Sequence, residues 1–265
     1  MKKHPYHIVD LSPWPALTSL ILLFVSLSAV MYMHSVAGGI TLGIVSFSLL
    51  ILCMAFWWKD VITEGFENHH TSAVQQGIKI GFSLFILSEA VFFIAFFWSS
   101  IKPKIFPVGV LEDVWVVREG VWPYEGLKLI DRWNIPFINT MILMLSSTSI
   151  TWAESSLKRR NREDFLLGLK ITIMLGIIFT FAQAFEYMHA PFKFKDGIYP
   201  SNFYMVTGFH GLHVIIGIAF LSICYVRGRR GHFFSDKHGS LCFEFASWYW
   251  HFVDIVWLLL FALLY

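Results

Sequence analysis

The sequence predicts an all-α integral membrane protein that crosses the bilayer seven times. Three observations lead there. Hydrophobic residues make up 56% of the chain and charged residues only 14%, where a soluble domain carries about 25% charge. Mean hydropathy is +0.62. Seven apolar stretches, each near the roughly 20 residues a helix needs to span hydrocarbon, are separated by polar or proline-rich links. No region has a soluble domain's mix, so residues 1–265 read as a single membrane domain.

The remaining composition narrows the function. A net charge of +2 gives no basis for binding nucleic acid. Cys53, Cys224 and Cys242 lie in or beside apolar segments and form no CxxC or zinc spacing, so neither disulfides nor a cysteine metal site follows. The opening MKKHPYHIVDLSPWP has no short apolar run and small-residue cleavage site behind it, so it does not read as a removable signal peptide.

Taken in order, the first helix runs about 16–34, after Pro13 and Pro15, which suit a first turn. Trp14 suits the membrane interface. The second runs about 40–58 and ends in Trp57-Trp58, followed by the polar segment KDVITEGFENHHTSAVQQ. The third runs about 77–100 and opens with Gly77 and Gly81, a GxxxG that permits close helix contact. Residues 101–134 mix prolines, charges and tryptophans without helical period and read as an ordered surface loop. The fourth, fifth, sixth and seventh helices run about 135–153, 165–188, 201–226 and 240–264. On the fifth, Gln183 and Glu186 stand one turn apart.

Seven spans put the termini on opposite sides, and Lys and Arg on alternate sides decide which. With the N-terminus inside, thirteen lie on the inner side, including Lys158, Arg159, Arg160, Arg162, Arg227, Arg229, Arg230 and Lys237. Seven lie outside, among them Lys193 and Lys195. The N-terminus therefore reads as inside.

Few polar groups sit at membrane depth. Glu89 stands about 18 Å along the third helix from its inner end, near mid-bilayer. A charge there costs a few kcal/mol, so this buried carboxyl faces protein, carries a proton, or both. It serves packing alone, or has a role in proton handling or assembly. His210 and His213 are three apart and share a face of the sixth helix. On the seventh, Glu244, Trp248 and His251 form a polar-aromatic stripe that Asp254 continues. Such groups could bind haem or a metal if several helices converged. An HxxH alone is weak support for that, and the favoured reading is hydrogen bonding across helix contacts, at about 1 kcal/mol each. At the inner surface, Trp58, Glu64, His70 and Arg227 lie at similar depth. They suit a lipid phosphate or an ordinary positive-inside rim. No phosphate-binding loop or GxSxG nucleophile motif is present.

Ten segments carry a resemblance along nearly the whole chain. They are HIVDLSPWP (7–15), FWWKDVITE (56–64), HHT (69–71) with AVQQG (73–77), LFILSEAVFF (84–93), FINT (137–140), SITWA (149–153), ITIMLGIIFT (171–180), QAFEY (183–187), GFHGLHVIIG (208–217) and WYWHFVDIVW (248–257). On these the chain resembles subunit III of the haem–copper cytochrome c oxidases. The resemblance implies helices 1–2 and 3–7 in two groups around a V-shaped, lipid-filled cleft. It implies bound phospholipid and no haem, copper or other metal in this chain, the redox centres residing in subunits I and II. The family's carboxyl of the third helix falls on Glu89, and its lipid-headgroup residues on Glu64, His70 and Arg227. Two departures stand out. Glu154-Ser155 replace a histidine pair that many relatives carry after Thr151-Trp152-Ala153, and the loop 101–134 is longer than in compact relatives. The resemblance implies a non-catalytic subunit of a proton-pumping oxidase, in a mitochondrial inner membrane or a bacterial plasma membrane. Alternatives are the similar subunit of a quinol oxidase, or a stand-alone metal enzyme or proton transporter.

Overall fold

The structure, a computed structural model, describes residues 6–67, 69–105, 127–234 and 241–265. Among these the chain forms seven α-helices: α1 Trp14–Met33, α2 Gly39–Phe66, α3 Ser72–Ile105, α4 Ile135–Lys158, α5 Arg162–His189, α6 Ile198–Arg229 and α7 Leu241–Leu263. A 3-10 turn covers Phe194–Asp196. All seven helices are long and apolar enough to cross a membrane. The chain is a multi-pass membrane protein.

Several helices run past their apolar stretches. α2 continues eight residues beyond Trp58 to Phe66, and α3 opens at Ser72 rather than near residue 77. Hydropathy marks where side chains change solvent, but the backbone hydrogen-bond ladder needs no bilayer to continue. The segment KDVITEGF contains no proline to stop it. α4 likewise extends to Lys158, whose ammonium meets Glu154 one turn back at 2.8 Å. α5 starts at a capped end, where Asp164 N–H donates to the Asn161 side chain at 3.3 Å. Of the loop 101–134, residues 101–105 are the last turn of α3. Residues 106–126, with Trp115 and Trp122, lie outside the described residues, as does Lys237.

The chain divides into two compact units, Met1–Lys79 and Ile80–Tyr265, with the division inside α3. In the first unit α1 packs on α2. Trp14 Nε1 donates to Asp60 at 2.6 Å and stacks on Phe56 at 5.9 Å, tying the start of α1 to the C-terminal half of α2. In the second unit α4 packs on α5, α5 on α6, α6 on α7, and α7 back on α4, a closed four-helix bundle. Trp250 of α7 sits at its centre, fully buried, its Nε1 donating to Ser146 of α4 at 3.0 Å. The indole needs room on both flanks. A Cβ on Gly176 of α5 would stand 2.7 Å from its ring, and one on Gly217 of α6 would stand 2.8 Å away. α3 joins this bundle through aromatic contacts: Phe82 with Phe245 at 4.4 Å, Phe92 with Phe209 at 5.0 Å and Phe93 with Phe252 at 6.1 Å.

Gly77 and Gly81 do not mark a close contact, because a Cβ on either meets open space. GxxxG permits backbone approach but does not by itself supply the partner helix. The outward faces carry Leu23, Val30, Leu84, Leu87, Val91 and Ile94, all exposed, the surface that hydrocarbon favours and water does not.

Candidate functional site

The site grows out of the middle of α3, which carries Glu89 on the side turned to α6. His213 of α6 meets it, Nε2 to Oε2 at 3.0 Å. The other ring nitrogen, Nδ1, lies 2.7 Å from the Phe209 carbonyl oxygen. A carbonyl only accepts, so Nδ1 carries a hydrogen. One further hydrogen then occupies the line between Nε2 and Oε2. Whichever atom owns it, the glutamate and histidine together are net neutral. That resolves the cost of a carboxyl at this depth without a cation from outside the pair. The edge of Phe93 approaches the imidazole at 5.1 Å, and Tyr249 stacks on it at 6.2 Å.

Glu89 is less covered than the sequence suggests. A quarter of its side chain (25%) stays exposed within the chain, against 11% for His213. The reason is that α3 presents only one face to the bundle, while Leu87 and Val91 beside Glu89 point outward. Ser88, the nearest polar neighbour in sequence, is no partner; its hydroxyl donates to the Phe85 carbonyl of its own helix at 2.7 Å.

The other polar groups of the bundle have separate surroundings. His210, 1% exposed, lies between Phe179 at 5.7 Å and Trp257 at 5.3 Å. Neither of its ring nitrogens has a hydrogen-bond partner among the described residues. His251 Nδ1 meets Ser147 of α4 at 2.8 Å. Asp254 is buried, whereas Glu244 and His251 are only partly covered.

Sequence reading assigned no role to Glu186. The structure buries it to 3% exposure and gives it the Tyr265 hydroxyl, which donates to Oε1 at 2.6 Å. One turn earlier, Gln183 accepts from Asn139 of α4 at 3.4 Å. A carboxyl and an amide on one face of an apolar helix were the available signal; Tyr265 gave none.

In the first unit the C-terminal end of α2 gathers a further group. The chain after α2 folds back, with His69 N–H donating to the Glu64 carbonyl at 3.1 Å. This sets His70 Nε2 3.8 Å from Glu64 Oε2. His7, absent from the candidates read from sequence, brings its Nε2 to 3.9 Å from the same oxygen. The two imidazoles lie 5.3 Å apart. Burial lowers the pKa of His70, and the neighbouring His7 lowers it further, against the pull of Glu64. Trp58 is half-exposed. Arg227 belongs to the second unit, where its guanidinium lies 5.0 Å from the centre of the Phe233 ring.

Comparison with known proteins gives a consistent answer. A family profile described as "Cytochrome c oxidase subunit III" matches residues 4–265. The chain is similar to a "Probable cytochrome c oxidase subunit 3" of Rickettsia bellii, 53% identical across 100% of this chain and 96% of that protein. Its counterpart in Rickettsia felis is 52% identical across 100% of this chain and 95% of that protein. The "Cytochrome c oxidase subunit 3" of Prototheca wickerhamii is 46% identical across 100% of this chain and 98% of that protein.

Proposed function

The chain belongs to the cytochrome c oxidase subunit III family, and from that premise we propose that it is a non-catalytic core subunit of a respiratory oxidase. In this reading it packs on subunits I and II, which hold haem and copper, and supports proton uptake and endurance through many turnovers. The observation that carries it is the family match over residues 4–265.

The membrane is a mitochondrial inner membrane or a bacterial plasma membrane, with the N-terminus on the matrix or cytoplasmic side. Phospholipid headgroups lie against the inner ends of the helices, with Trp58, Glu64 and His70 as contacts in the first unit and Arg227 in the second. His210, His213, Glu244, His251 and Asp254 serve packing.

The test is purification in mild detergent through a tag on this chain. Haem- and copper-bearing polypeptides co-purify with it, and the chain isolated from them shows no haem absorption and no copper. Haem bands or stoichiometric copper in the isolated chain would overturn the reading and make it a stand-alone redox protein.

A further inference from the structure

At the inner end of α2, three side chains from three separate segments point their donor atoms at one place. His7 comes from the segment before α1, Glu64 from α2 and His70 from the turn into α3. Their ligand atoms all lie within 4.8 Å of one another. We propose that His7, Glu64 and His70 form a binding site for a divalent cation of the zinc class.

Ligand chemistry selects the class. Two imidazoles and one carboxylate suit zinc and its first-row neighbours, while magnesium and calcium prefer oxygen donors alone. Tetrahedral zinc with bonds of about 2.0–2.1 Å sets its ligand atoms about 3.4 Å apart. The Glu64 contacts to His7 and His70, 3.9 and 3.8 Å, close to that spacing by small side-chain rotations. The fourth position is left for water. Side-chain exposures of 39% for His7, 24% for Glu64 and 18% for His70 leave an entry path from the aqueous side.

The backbone around the group is already held. Trp14 anchors the N-terminal segment to Asp60, one turn before Glu64 on the same face of α2. The Gln75 side-chain amide donates to the His70 carbonyl at 3.0 Å and fixes the turn. The carboxylate of Glu64 attracts a cation, and a cation held there can face a headgroup phosphate without repulsion. A bound cation would pin the N-terminal segment to the junction of α2 and α3.

Protons compete with a metal for imidazole. The charged or titratable groups facing His70 are His7, Glu64 and His69, the last paired with Glu67 at 3.3 Å. Zinc held by two imidazoles is therefore released as the pH falls, because protons take the ring lone pairs that bind it.

The experiment uses the full chain, purified with the subunits that accompany it, stripped by a chelator and dialysed against Zn²⁺ in excess Mg²⁺. Wild type retains one more zinc per chain than the His7→Ala/His70→Ala double variant. Glu64→Gln weakens zinc binding about tenfold or more. His69→Ala keeps the metal. Equal zinc in wild type and double variant overturns the site. A fall in bound phosphorus without a fall in zinc overturns it too, and assigns the group to a phospholipid. A second measurement needs no variant: Zn²⁺ protects His7 and His70 of the wild type from diethyl pyrocarbonate while His69 stays reactive. Unchanged reactivity of His7 and His70 would also overturn the site.

Discussion

Replacing either member of the Glu89–His213 pair should give unequal results. In Glu89→Gln the side-chain amide donates to the Nε2 lone pair and preserves the 3.0 Å contact in kind. His213→Ala leaves the carboxyl without a partner in an apolar setting, which costs about 1.5–3 kcal/mol. Thermal unfolding in detergent should therefore rank wild type above Glu89→Gln and Glu89→Gln above His213→Ala. A reversed order would mean that the pair does not neutralise the carboxyl. A hydrophobic carbodiimide should label Glu89, and Glu89→Gln should abolish the labelling. The fully assembled Glu89→Gln enzyme should keep its haem and copper and continue to reduce oxygen, with proton supply or endurance reduced. Immediate and complete loss of electron transfer would make Glu89 catalytic. Glu89 was legible in the sequence because a carboxyl in apolar surroundings is expensive wherever it stands. Its partner was legible only as a histidine of some other helix. Which one depends on the relative height of α3 and α6, and a one-dimensional pattern does not hold that. His7 was invisible for a related reason: only the folding-back of the N-terminal segment brings it to α2.

At the scale of the helix, the existence and order of all seven spans follow from apolar length, while their ends do not. α2 and α3 overrun their apolar stretches because the hydrogen-bond ladder is indifferent to where the solvent changes. The packing of the bundle was less legible still. Gly176 and Gly217 look in sequence like any other glycine of a membrane helix, and nothing local says that Trp250 of α7 reaches both. Gly217→Ala would put a methyl 2.8 Å from the buried indole, inside van der Waals contact. Trp250 has little room to retreat, with Gly176 equally close on its other flank. Overpacking of this kind costs about 1–3 kcal/mol. Gly217→Ala should lower the unfolding temperature of the purified protein, and Trp250→Phe in the same chain should recover part of the loss by removing the second ring. Gly211→Ala on the same helix, where a Cβ meets open space, serves as the control and should be close to neutral. Equal effects from the two alanines would mean that the indole does not set the spacing of α5, α6 and α7.

For the whole molecule, the orientation in the membrane rests on the distribution of Lys and Arg, thirteen against seven. The count is sensitive to how many spans there are, since one missed or added helix exchanges the sides of everything after it. α5 offers a direct check within one unit. Arg160 precedes it and Lys195 follows it, and the 28 residues of Arg162–His189 between them span about 42 Å at 1.5 Å per residue. That length exceeds the hydrocarbon thickness of roughly 30 Å, so a helix crossing it brings the two residues out on opposite surfaces. Single cysteines at Arg160 and Lys195, in a chain with Cys53, Cys224 and Cys242 replaced, should therefore label oppositely with an impermeant thiol reagent. Lys195→Cys should react from the outer side of intact cells or right-side-out vesicles, and Arg160→Cys only after the membrane is opened or inverted. Labelling of both from one side would break the seven-span reading. Opposite labelling with the sides exchanged would keep the seven spans and move the N-terminus to the outer face. In that case the excess of Lys and Arg would stand outside, and His7, Glu64 and His70 would face the outer aqueous phase in place of the inner one.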